Sequence, residues 1–209
     1  IDYTDKTVSM WQCRSHLGRL RTELASRTGE DDGPSDEDIL AAVDFWLDND
    51  FTNPNWWHNQ IGTPTDLAAV CLLMGEKIGR ERLERSLKII SRGSFSHNAP
   101  ILKWTGANLL WGVRNTIYYA LLTRDDGLLR AASERFADEV TIAQGAAEGI
   151  KPDFSFYQHG PQLYSCGYGR AFTSDTAKLL YMLSGTSYML QDEKIRIFES
   201  FVLEGQRYF

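Results

Sequence analysis

The stretch from Asp153 to Arg170 carries the densest set of reactive side chains in the chain: His159 beside Gly160, Tyr157, Tyr164, and Tyr168 between Gly167 and Gly169. An imidazole among phenols can serve in acid–base chemistry. The competing reading is a histidine satisfied by backbone partners. The flanking glycines give Tyr168 freedom of placement. A phenol titrates near about pH 10, so Tyr168 acting as a base needs cationic or donor groups close by, and His159 or Arg170 is in range along the chain. A second candidate is Asn108, directly after Gly106-Ala107 at the start of a helical pattern. It reads either as a helix N-cap or as an amide presented to a ligand, with Gly106 permitting close approach. The third is Asn55-Trp56-Trp57 in a Pro- and Asn-rich loop. Adjacent indoles are hard to bury together, so one face should point outward. Flat aromatic faces suit sugar rings, although core packing uses the same residues.

Other candidates carry less. His58 reads as loop surface, and His16 and His97 have no partners at ligand spacing. No His-x-x-x-His or Cys-x-x-Cys occurs, so a metal site is unsupported and no cofactor is expected. Carboxylate pairs such as Glu148 with Asp153 or Asp66 would suit glycoside hydrolysis on paper. Arg114 and Arg124 are expected on solvated helix faces.

The elements that must position these groups are helices, and the fold class is all-α. Apolar residues recur at helical spacing from about Val8 to Ser26 (Met10, Leu17, Leu20, Leu24). After the acidic loop Gly29–Pro34, Ser35 with Asp38 forms a capping-box signature. The helix it opens stops before Asn49-Asp50. The segment from Phe51 to Thr63 reads as loop. Thr63 is expected as an N-cap with Pro64 at the first helical position, and that helix ends at Gly75. Further helices are expected over about Arg80–Ser91, Leu109–Thr123, Leu128–Gln144, Arg170–Leu183 and Glu193–Glu204. That makes seven or eight, with no strand. Short and long connections alternate, which suggests stacked antiparallel pairs. If the long loops lie at one end, they line a single cleft.

The 209 residues suit one domain, 1–209. Hydrophobic residues make up 43% and charged residues 24%, as in a packed globular protein and against intrinsic disorder. A net charge of −6 argues against non-specific nucleic-acid binding. No run is long enough for a membrane-spanning helix. Cys13, Cys71 and Cys166 are too few for a disulfide scaffold and leave one over if two pair. The start at Ile1 suggests a processed product or an excised piece, and the end at Tyr208-Phe209 suggests a chain cut from something larger.

Taken in order, Asn55-Trp56-Trp57 with Ile61-Gly62-Thr63-Pro64, then Gly106-Ala107-Asn108, then His159 with Tyr168-Gly169 resemble polysaccharide lyase family 8, the hyaluronate, chondroitin AC and xanthan lyases. The resemblance covers roughly residues 45 to 205. It implies an incomplete α/α toroid of antiparallel helical hairpins, part of a larger lyase whose remaining helices and β-sandwich domains are absent. It implies a carbon–oxygen lyase that cleaves a uronic-acid polysaccharide, such as a glycosaminoglycan, by β-elimination. By position, Asn108 looks like the asparagine that binds the uronate carboxylate. His159 and Tyr168 look like the catalytic histidine and tyrosine. Trp56 and Trp57 look like the aromatic patch, with Asn55 as a substrate contact. The partner implied is an acidic polysaccharide, and the location a bacterial secreted or periplasmic one. The chain departs from the family pattern at Gln60, where an acidic residue is usual, and the family's catalytic arginines are expected beyond its last residue. A non-catalytic carbohydrate-binding fragment and a glycoside hydrolase on an α/α toroid are the rival readings.

Overall fold

A computed structural model describes residues 1–27 and 33–209. Most of the acidic loop expected at Gly29–Pro34 lies outside the described residues. The chain opens with turns, because Asp2 and Asp5 bond the backbone N–H groups of Thr4, Thr7 and Gln12. Such local side-chain bonds compete with a helical backbone. Helix α1 (Ser15–Ser26) therefore starts seven residues later than the Val8 expected from periodicity. Helix α2 (Asp36–Asn49) opens on the expected capping box, with Ser35 and Asp38 satisfying each other's backbone N–H, and closes on Asp50 in the left-handed region.

The segment expected as a loop up to Thr63 is helical from Trp56, and residues His58–Gly62 form one wide π turn that runs straight into α3 (Thr63–Met74). Thr63 is therefore not an N-cap. The wide turn leaves carbonyls to satisfy: the Asn115 amide donates to Ile61 O at 3.2 Å, and the Thr65 hydroxyl donates to the same oxygen at 2.8 Å. Gly75 ends α3 with φ +55°, and α4 (Arg80–Ile90) follows as expected. Helix α5 (Gly106–Thr123) begins three residues before the expected Leu109. Only a two-residue link separates it from α6 (Asp126–Glu139), which the Asp125 carboxylate caps through Leu128 N–H.

Helix α6 ends five residues before the expected Gln144. The chain there enters a small antiparallel hairpin, β1 (Gly149–Ile150) with β2 (Phe156–Tyr157), in the register Gly149–Tyr157 and Ile150–Phe156. Two-residue strands are too short to show alternation, so none was expected. A second π turn, Ser165–Gly169, leads into α7 (Arg170–Leu183). Helix α8 (Asp192–Ser200) ends in a third wide turn, Phe201–Gly205.

Helix α3 packs on α1, α4 and α5, while α5 packs on α3, α6 and α7. One core gathers Trp11, Leu17, Val43, Trp46, Leu67 and Ile90. The other gathers Leu109, Val113, Phe136, Phe156, Phe172 and Phe201. Helices α3 and α5 thus join two apolar halves, and the site sits at the N-terminal end of α5. Cys13 and Cys71 are buried free thiols, both pushed up to about pH 11 by burial, and Cys166 is exposed and free. No described helix is long and apolar enough to cross a membrane.

Candidate functional site

Thr105 holds the N-cap position of α5, yet its hydroxyl does not cap its own helix. It donates instead to Glu148 Oε2 at 2.5 Å. The first N–H groups of a helix need outside acceptors. Here Gly106 N–H goes to Glu139 Oε1, and Ala107 N–H goes to Gln158 Oε1 at 3.1 Å. Burial raises the Glu139 carboxyl above its ordinary range, against the pull of Gly106 N–H and Arg135. Gly106 has φ +57°, and a Cβ there would lie 2.4 Å from Gln158 Oε1. The positive φ favours glycine, and a Cβ would displace the Gln158 amide from its bond to Ala107 N–H.

Asn108 therefore sits inside the first turn of α5 rather than at its cap. It is half-buried, and its Oδ1 is a buried polar atom with no partner. Buried polar atoms are nearly always satisfied, so an oxygen without a partner among the described residues marks this amide out. An amide oxygen only accepts, and the group that would donate to a ligand carboxylate is Nδ2. Trp111 lies three residues on, on the same helix face.

His159 stands on the turn after β2, between Tyr157 and its bridge partner Leu163. Gln158 N–H donates to Gln162 O, and Gln162 N–H donates to Gly160 O, which closes the turn with His159 at φ +60° and Gly160 at φ +79°. The imidazole is exposed. The π turn that follows brings Tyr168 back to it, with ring centroids 4.9 Å apart and planes at 81°. Tyr164 joins them, 6.2 Å from His159 and 5.0 Å from Tyr168. Burial first, then Tyr164 and Glu148, raise the Tyr168 phenol above its ordinary range. None of these influences is cationic, and Arg170, considered as a helper, is exposed.

The aromatic wall continues. Trp111 lies 6.2 Å from Tyr168 and 5.6 Å from Trp57, edge to face with the latter. Trp56, 44% exposed, packs 5.2 Å from Trp104. Arg14 lies over Trp57 at 5.1 Å and is held by Asp66, which also takes Arg21. The structure thus brings His159, Tyr168 and, through Trp111, Trp57 into one surface, with Asn108 on the Trp111 face of α5. Asn55 is committed differently. Its Nδ2 donates to Val8 O and its Oδ1 accepts from Trp57 N–H, so its amide shapes the paired-indole turn.

Several expectations change. His58 is buried at 3% exposure and bonds Val8 O, because the π turn directs it inward. Arg114 is not on a solvated face. Its side chain is 15% exposed and donates to Asp175 Oδ1 at 2.7 Å, while Trp111 Nε1 donates to Asp175 Oδ2 at 2.6 Å. The carboxylates considered for hydrolysis are each engaged by other groups. Asp66 is held by arginines, Asp153 by Ser155, and both Glu148 oxygens are taken by Thr105 and Gly160. Among the described residues no group of His, Cys, Asp and Glu could hold a metal ion. Sequence reasoning missed Trp111, Asp175, Gln158 and the ordering role of Glu148. Periodicity placed Trp111 on α5 but could not say which face meets the loops.

A helical array carries an aromatic wall and an imidazole–phenol pair at one end. Residues 20–206 match polysaccharide lyase family 8, N terminal alpha-helical domain, and the chain belongs to that family. It is 32% identical to chondroitinase-AC of Pedobacter heparinus over 96% of this chain and 29% of that protein. It is 29% identical to xanthan lyase of Bacillus sp. over 75% of this chain and 17% of that protein. A solved chondroitinase AC lyase, studied with oligosaccharides, superposes with a TM-score of 0.87 at 30% identity, covering 98% of this chain and 31% of that one. The chondroitin AC lyase of Streptomyces coelicolor A3 shares the fold, with a TM-score of 0.79 at 21% identity over 96% of this chain and 30% of that one. The chain spans about 30% of the length of the first relatives it matches.

Proposed function

We propose that the polypeptide carrying this domain cleaves a uronate-bearing polysaccharide, such as a glycosaminoglycan, by β-elimination. The observation that carries the reading is the 4.9 Å contact of His159 with Tyr168, with Asn108 in the first turn of α5, the helix whose Trp111 packs on Tyr168. The C5 proton of a uronate is very weakly acidic until its carboxylate is stabilised. An amide donating to that carboxylate stabilises the enolate-like transition state. His159 then takes the C5 proton, the C5–H electron pair forms the C4=C5 bond, and the C4–O4 bond breaks. Tyr168 gives its proton to O4. Its raised pKa keeps the phenol protonated at neutral pH, which fits the acid role. Proton return from the imidazolium to the phenolate resets the pair. Trp56 and Trp57 carry the sugar chain, and Asn55 acts through them by holding their turn. No water is consumed, and no metal is needed for this step.

The names of the relatives support the substrate class. Chondroitinase, xanthan lyase and hyaluronate lyase all point to acidic polysaccharides. A domain of this kind within a longer, exported bacterial lyase, with further cationic residues supplied elsewhere in that chain, fits both the fold and the coverage. The hydrolase reading is disfavoured because the candidate carboxylates are already occupied.

The test is product spectroscopy on hyaluronan and chondroitin. An unsaturated, ultraviolet-absorbing product is expected, and saturated ends alone would exclude elimination. Tyr168→Phe should lower kcat at least about a thousandfold, within the usual range for loss of an acid–base group, and spare binding.

A further inference from the structure

Glu148 stands between the two halves of the site. Its Oε2 accepts the Thr105 hydroxyl at the N-cap of α5, three residues before Asn108. Its Oε1 accepts the Gly160 N–H at 2.7 Å, one residue after His159. The segment it holds is conformationally costly. His159 has φ +60° and Gly160 has φ +79°, so two consecutive residues sit in the left-handed region, and a non-glycine residue there persists only when its surroundings enforce it. The Gly160 N–H is the donor nearest that strain, and a carboxylate is a strong acceptor for it. Thr105 gives up its own capping role to make the other arm, and Glu139 and Gln158 cap α5 in its place.

We infer that Glu148 is a positioning residue whose carboxylate clasps the His159 turn to the N-cap of α5 and so fixes the imidazole relative to the Asn108 amide. The inference rests on the lyase reading for its kinetic consequence, but the clasp itself does not. Gln158 ties the same two segments from the other side, through Ala107 N–H and Thr105 O. Loss of Glu148 should therefore loosen the turn without detaching it. A displacement of the order of 1 Å can cost about a hundredfold in rate.

The experiment compares Glu148→Ala, Glu148→Gln, Thr105→Val and the Thr105→Val/Glu148→Ala double variant in the complete polypeptide. It measures kcat and KM from the unsaturated product, and hydrogen exchange of peptides covering 157–164. For Glu148→Ala we expect kcat lower by about a hundredfold, KM within about threefold, and at least tenfold faster exchange over 157–164. Glu148→Gln should recover most of both losses, because its carbonyl still accepts from Gly160 and its amide still meets the Thr105 hydroxyl. The double variant should be no worse than Glu148→Ala, since both changes open one clasp. Wild-type kcat in Glu148→Ala would overturn the inference. So would multiplying losses in the double variant, or a Glu148→Gln as impaired as the alanine. If the wild-type polypeptide makes no unsaturated product, the lyase reading falls. The exchange comparison then still decides the clasp: unchanged exchange in Glu148→Ala overturns it, and accelerated exchange upholds it.

Discussion

Removing Asp175 should unsettle the whole wall, because one buried carboxylate holds two of its supports. The Asp175 side chain is 8% exposed and the Arg114 side chain 15%. Taking away one member of a buried ion pair costs about 3–5 kcal/mol, since the other charge is left without compensation. Arg114 retains one bond, to the Thr65 hydroxyl at 3.2 Å, which argues for the lower end. Half-buried Trp111 also loses the acceptor of its Nε1, and an orphaned donor costs about 1–3 kcal/mol when fully buried, so here the lower end applies. The two losses share one site and do not add in full. The expected destabilisation of Asp175→Ala is therefore about 3–4 kcal/mol, which for a chain of this size is roughly 6–16 °C in Tm.

Guanidinium denaturation followed by tryptophan fluorescence gives the free energy directly. A paired variant separates the ion pair from simple loss of packing. Asp175→Leu with Arg114→Met removes both charges, and such apolar replacements are often close to neutral. Only the Trp111 N–H is then orphaned, so this double variant should lie within about 2 kcal/mol of wild type. A loss below about 1 kcal/mol in Asp175→Ala would refute the reasoning. So would a double variant less stable than Asp175→Ala.

Two further outcomes follow from the same network. Arg14→Ala removes the guanidinium over Trp57 while Asp66 keeps Arg21. A cation–π contact of about 0.5–2 kcal/mol corresponds to a rise in KM of several-fold, with kcat nearly unchanged, and steady-state kinetics showing the reverse split would dismiss the shelf role of Trp57. His16 and His58 are buried, and burial holds both below the ordinary histidine pKa, against the carbonyls of Ala42 and Val8. The unfolded chain then binds more protons below about pH 6.5, so stability is fully present above that pH and falls as pH drops, by up to about 1.4 kcal/mol per pH unit for each histidine. Denaturation at pH 7.5, 6.5 and 5.5 should show this slope flattened in His16→Gln/His58→Gln, and an unchanged slope would rule the histidines out as its source.

What was legible in the sequence was local. Ser35 and Asp38 announce a capping box because the bonds span three residues, and Gly75 and Arg80 mark a stop and a start for similar reasons. The paired indoles and the His159–Tyr168 spacing were also visible, since residue type alone suggests their chemistry. The three wide turns were not. A wide turn costs regular hydrogen bonds, and here the partner that repairs the first one is Asn115, more than fifty residues away. The same applies to the start of α5. Its true cap is supplied in trans by Glu139 and Gln158, so of the two readings open for Asn108, the best capping residue by type, the N-cap one falls. Arg114 failed similarly, because its counter-charge lies 61 residues on.

The wall also constrains the order of proton movements in the proposed elimination. A general base must be deprotonated before the step and a general acid protonated, and one residue cannot be both at once without help. Burial, Tyr164 and Glu148 all push Tyr168 toward its protonated form. His159 stands exposed in ring contact with it, and so is open to the proton that must leave C5. In the proposed elimination the division of labour then follows from environment rather than from residue type, with the half-buried phenol as donor and the exposed imidazole as acceptor. For Tyr168 to act as the base instead, a positive charge would have to be brought against it. On the aromatic side only His159, as an imidazolium, could supply it, and any other cation would have to enter from the open face together with the substrate.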